Sequence, residues 1–127
     1  MSGTNSQYYR SRILAVDNAI MFLKTLEKYL EGTPYDLSCV TSGSEALEFL
    51  DSTSVDLILL DVEMPGMNGY ELAARIKQRG IRTPIIFVSA NSDKEDMERA
   101  TSAGAAGILQ KPFRAGQLHE KIKEFIR

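Results

Sequence analysis

At 127 residues, with 43% hydrophobic and 25% charged residues, the chain has the size and balance of one globular domain, which excludes a disordered or fibrous polypeptide. Fifteen basic against seventeen acidic residues leave a net charge of -2, which disfavours direct binding of nucleic acid or an anionic membrane. No apolar run approaches the roughly 18 residues of a membrane span, and the polar start lacks the apolar stretch of a signal peptide, so a cytoplasmic location is expected.

Residues 1–11 show no periodicity and read as a flexible lead to a single domain over 12–127. Beyond them, short β-rich runs at 13–16, 37–40, 55–60, 85–88 and 107–109 predict strands. The first helix carries Phe22, Leu23, Leu26 and Leu30 at helical spacing and stops at Gly32. Cys39 lies within the second strand, cannot form an internal disulfide, and reads as a buried inert thiol. Three further helices open on a side-chain cap followed three residues on by Glu: Ser42 with Glu45, Asn68 with Glu71, and Ser92 with Glu95. The last helix places Leu118, Ile122, Phe125 and Ile126 on one stripe and leaves Glu120, Lys121, Lys123 and Glu124 to solvent.

Strict alternation of strand and helix predicts an α/β domain: parallel strands, right-handed crossovers, and helices on both sheet faces. The runs 57–60 and 85–88 are apolar on both faces, as central strands must be. Open parallel sheets bind ligands beyond the carboxyl ends of their strands. There the chain places Asp17 and Asn18 after the first strand, Asp61 after the third, Ser89 after the fourth and Lys111 just past the fifth. Oxygen ligands suit a hard cation such as Mg2+. A cation, a lysine and a hydroxyl beside a carboxylate nucleophile make a phosphoryl-transfer site, with Asp61 attacking phosphorus.

The segments ILAVDNA, LLDVEMPGMNGYEL, FVSAN and QKPF closely resemble the characteristic blocks of two-component response regulator receiver domains, over residues 12–126. The resemblance implies a flavodoxin-like (βα)5 doubly wound sheet of strand order 2-1-3-4-5. It also implies Mg2+-dependent phosphotransfer, with Mn2+ as a substitute ion, from a sensor histidine kinase or histidine phosphotransfer protein. By the same resemblance Asp61 is the phosphoacceptor, Asp17, Asn18, Asp61 and the Glu63 backbone carbonyl face the metal, and Ser89 and Lys111 hold phosphoryl oxygens. Glu63 and Asn91 occupy positions that tune phosphoryl lifetime, and Lys111-Pro112 is a candidate cis peptide. The output partner is unspecified, and homodimerisation through the face of the fourth helix, fifth strand and fifth helix is an arrangement the resemblance allows.

Two departures stand out. Asn18 replaces the second acid, which predicts weaker Mg2+ binding because one fewer negative charge faces the ion. Ile108 stands where many receivers carry a switching Tyr or Phe, which predicts a smaller response on that face. These departures leave a rival reading, a phosphorylation-independent pseudo-receiver, against which the retention of Asp61, Ser89 and Lys111 argues. An aspartyl phosphohydrolase of the haloacid dehalogenase type expects an acid two residues after the nucleophile and also a Thr, a pattern that DVEMP does not satisfy. No GxGxxG or GxxxxGK[ST] loop follows the first strand, against a nucleotide-binding enzyme. His119 and the scattered Met21, Met64, Met67 and Met97 are read as a solvated side chain and as packing or loop filling.

Overall fold

The computed structural model describes residues 10–90 and 93–126. Ten elements alternate along them: β1 (Ser11–Val16), α1 (Ile20–Tyr29), β2 (Tyr35–Val40), α2 (Gly43–Ser52), β3 (Leu57–Asp61), α3 (Gly69–Gln78), β4 (Ile85–Ser89), α4 (Lys94–Ser102), β5 (Gly107–Gln110) and α5 (Ala115–Lys123). The five strands form one parallel sheet in the order β2-β1-β3-β4-β5. This is the flavodoxin-like order, and its direction reverses between β1 and β3.

Burial explains the sheet. Every residue of β3 and β4 is buried, as strands covered by helices on both faces require. One apolar layer joins Leu14, Ile58, Leu60 and Phe87 to Ala46, Leu72 and Ile76. The other joins Ile13, Ala15, Leu59 and Ile86 to Leu23, Leu26, Leu118 and Ile122. Each fully buried Leu or Ile contributes about 1.5–3 kcal/mol relative to exposure.

Several boundaries differ from the sequence expectation. β1 begins at Ser11 and β2 at Tyr35, because Ser11 pairs with Tyr35 and Arg12 with Asp36 in the ladder. Ser11 therefore belongs to the sheet and not to a lead, and Arg10 before it pairs with Asp36. β3 starts at Leu57, since the Asp56 carboxylate turns back to accept the Arg12 N–H at 2.7 Å.

Of the three expected capping boxes, Asn68 closes one with Glu71, its Oδ1 accepting the Glu71 N–H at 2.9 Å while Glu71 Oε1 accepts the Asn68 N–H. Ser42 caps α2, but the Glu45 carboxylate accepts from Thr41 N and Oγ1 instead. For α4 the cap is Asp93, whose Oδ1 accepts the Asp96 N–H at 2.9 Å. Ser92, the expected cap, lies outside the described residues.

Among the described residues no helix is long and apolar enough to cross a membrane. Cys39 is half-buried in β2, and burial, with Glu27 nearby, pushes its thiol up to about 11, which disfavours the thiolate at neutral pH. His119 is not simply solvated: its Nε2 lies 2.7 Å from the Tyr29 carbonyl oxygen, to which it donates. Met64 is buried and Met67 packs against the core, whereas Met21 and Met97 stand 74% and 41% exposed.

Candidate functional site

The register of the central strands assembles the site. Val16 pairs with Leu60, so Asp17, one step further, comes beside Asp61 at the carboxyl edge. Asp61 pairs with Val88 and Ser89 with Gln110, which carries the same edge across β4 to Lys111. The Lys111 N–H donates to the Ser89 carbonyl at 2.8 Å, fixing the start of the β5–α5 loop. The Lys111-Pro112 peptide is cis, as the resemblance led us to expect.

Asp17, Asp61 and Ser89 are buried polar residues, 2%, 7% and 6% exposed. Lys111 spans the crevice: its Nζ donates to Asp17 Oδ2 at 2.9 Å and to Asp61 Oδ1 at 3.5 Å. Asp17 Oδ1 accepts the Ala19 N–H at 2.8 Å, which holds the carboxylate beside the first turn of α1. Burial first, and then the charge of Asp17, push the Asp61 carboxyl up to about 6, against the lowering pull of Lys111 and of the Glu63 backbone N–H. Two carboxylates this close are short of positive charge, and Lys111 supplies only part of it.

Asn18 and Glu63 are exposed at the rim. Glu63 lines a surface pocket of about 440 Å3 with Met64, Pro65, Tyr70 and Arg99. Ile108 is half-buried in β5 and borders a small void with Ser89, Phe87, Tyr70 and Met97. Asn91 lies outside the described residues.

The β3–α3 loop is shaped by two glycines. Gly66 adopts φ +78°, a left-handed turn conformation that disfavours a side chain. Gly69 abuts the end of β3: a Cβ there would lie 2.4 Å from the Asp61 carbonyl oxygen and 2.9 Å from Val62 Cα. Its N–H donates to the Val62 carbonyl at 2.9 Å, so α3 starts pressed against the Asp61 peptide.

Sequence reasoning missed the part played by Phe22, taken there only as a member of the apolar stripe of α1. Its ring centroid lies 4.1 Å from Lys111 Nζ, and it meets Phe113 edge-on at 5.8 Å. No local pattern signals a contact between residues so far apart in the chain.

Among the described residues no three His, Cys, Asp or Glu side chains cluster as a metal site. The donors at the edge are two buried carboxylates with an amide at the rim, and the elevated Asp61 carboxyl marks a place where added positive charge is favourable. That donor set fits a hard divalent cation completing its shell with backbone oxygen and water.

A flavodoxin-like doubly wound sheet with an acidic pair and a lysine at its switch point is the class of protein these features define. The sequence model of the response regulator receiver domain matches residues 13–123, and the chain belongs to that family. It is 35% identical over 117 residues to the transcriptional regulatory protein CrdR of Helicobacter pylori, covering 91% of this chain and 55% of CrdR. It is 36% identical over 100 residues to the sensor histidine kinase RcsC of Escherichia coli, covering 79% of this chain and 10% of RcsC. The chain thus spans about half of one curated relative and a tenth of the other. The chemotaxis protein CheY4 of Vibrio cholerae superposes with a TM-score of 0.88 at 27% identity, covering 93% of this chain and all of that one. The receiver domain of sensor histidine kinase PA1611 from Pseudomonas aeruginosa, which has a magnesium ion coordinated in its active site cleft, gives 0.84 at 28% identity and covers 93% of this chain and 98% of its own.

Proposed function

We propose that this receiver domain takes a phosphoryl group on Asp61 from a phosphohistidine of a sensor kinase or phosphotransfer protein, and then changes its partner interactions. The observation that carries this reading is the buried Asp61 carboxylate beside Asp17, with Lys111 bridging the two at 3.5 and 2.9 Å. An Asp61 carboxylate oxygen attacks phosphorus as the bond to the histidine nitrogen breaks, and that nitrogen leaves with the electron pair. Asp17, Asn18, Asp61 and the Glu63 carbonyl would hold the Mg2+, or Mn2+, which when bound neutralises charge on the phosphoryl oxygens.

Lys111 turns from its carboxylate partners toward a phosphoryl oxygen, and Ser89 donates a hydrogen bond to another. Burial raises the Asp61 carboxyl to about 6, still below neutral pH, and a cation bound beside it would further favour the ionised, nucleophilic form. Glu63 and Asn91 would modulate hydrolysis of the acyl phosphate, and Ile108, standing where an aromatic switch would be, would give a smaller response on the face of β5.

Incubation with acetyl phosphate and Mg2+, followed by intact mass, tests the reading. Wild type should gain one phosphoryl group and Asp61→Asn none. No gain by wild type would favour a phosphorylation-independent interaction module, and gain by both would move the acceptor elsewhere.

A further inference from the structure

We propose that Phe22 is a positioning residue for Lys111, its ring acting as a seat from which the ammonium is presented to the transferring group. The inference rests on the phosphoacceptor reading of Asp61. An ammonium has three N–H donors, and two of those of Lys111 are directed at Asp17 and Asp61. The Phe22 ring, 4.1 Å from Nζ, takes up a further side of the cation. A third carboxylate there would compete with phosphoryl oxygens for the same protons. An aromatic face attracts the cation without accepting a hydrogen bond of comparable strength, so it steadies Nζ and leaves its donors to be redirected.

The seat is itself fixed from both sides of the lysine. Phe22 meets Phe113 at 5.8 Å with perpendicular planes, and Phe113 is buried two residues after Lys111. The Tyr29 hydroxyl donates to the Phe113 carbonyl at 3.2 Å, and the Tyr29 ring packs on Phe113 at 6.3 Å. Helix α1 and the β5–α5 loop are therefore joined by aromatic contacts that include the ring under the ammonium. The fully buried stripe of α1 is formed by Leu23 and Leu26. Phe22 is only half-buried, and its ring faces the lysine at the edge of the core.

Phe22→Leu and Phe22→Tyr test this against wild type with three readouts: the ε-methylene proton shifts of Lys111 in metal-free protein, the rate of phosphoryl uptake from acetyl phosphate, and Mg2+ affinity by calorimetry. Ring-current shielding of the Lys111 ε-protons should be present in wild type and Phe22→Tyr and lost in Phe22→Leu. Uptake should slow about three- to tenfold in Phe22→Leu and stay within about twofold of wild type in Phe22→Tyr. Mg2+ affinity should be no weaker in either variant. Equal uptake rates in wild type and Phe22→Leu, equal loss in both variants, or a matching loss of Mg2+ affinity and thermal stability would each overturn the inference. Absence of uptake by wild type would remove the acceptor reading and this inference with it, whereas normal wild-type uptake with an unaffected Phe22→Leu removes this inference alone.

Discussion

The helices that follow β4 and β5 are held in different ways. Helix α5 buries Leu118 and Ile122 completely, and the loop before it is tied down by the Lys111 N–H on Ser89, the Tyr29 hydroxyl on Phe113 and the Phe22–Phe113 contact. Helix α4 buries Ala100 alone and leaves Met97 41% exposed. Its acidic first turn adds to the contrast, since the little burial there and the adjacent Asp93 both raise the Asp96 carboxyl. Low apolar burial and exposed hydrogen bonds are the physical content of a region that opens easily. The site is thus flanked by α5, firmly packed after the lysine, and by α4, which is lightly packed against the sheet.

The largest effect that would break this contrast is on stability. Leu118→Ala should cost about 3 kcal/mol and Met97→Ala less than about 0.5 kcal/mol, measured by denaturant unfolding. Comparable losses would show that α4 is anchored as firmly as α5.

A second, smaller effect asks whether the lysine side is held by the charge of Asp61. The Asp61 carboxyl is raised from 3.8 to about 6 in the fold, so its ionisation opposes folding. That penalty is absent below about pH 4, where the group is protonated in both states, and grows as pH rises through about 6. Asp61→Asn without Mg2+ should therefore stabilise the protein by about 1–2 kcal/mol at pH 7 and by little at pH 4. A loss of stability at pH 7 would mean that the Lys111–Asp61 pair is what fastens the β5–α5 loop.

The smallest effect concerns the rim. Asn18→Asp should tighten Mg2+ about tenfold by adding a charge facing the ion, while amide exchange in α4 stays as in wild type. Unchanged Mg2+ affinity would place residue 18 outside the metal's reach.

What the sequence made legible follows from where physical information is local. Central strands β3 and β4 are continuous apolar runs, and Asp17, Asp61, Ser89 and Lys111 stand at or just beyond strand ends, so the α/β class and the gathering of these side chains on one edge could be read from pattern, whereas the strand order came from the family resemblance. Strand starts at Ser11 and Tyr35 could not, because they are set by ladder pairing between polar residues and not by hydrophobicity. The start of α4 was misplaced because Ser92 and Asp93 each precede an acid three residues on, and a local pattern does not choose between them. Tyr29 and His119, like Phe22 and Lys111, meet only through the tertiary fold, so no spacing rule could have announced either contact.

The close approach at Gly69 has a mechanical meaning. The space between the first turn of α3 and the carbonyl of Asp61 leaves no room for a Cβ, so helix and Asp61 peptide meet backbone to backbone with no side chain between them. A shift of the Asp61 backbone has no slack to absorb it before α3. Residue 69 thereby acts as a spacer, and the placing of the Asp61 peptide is set by a side chain that is not there.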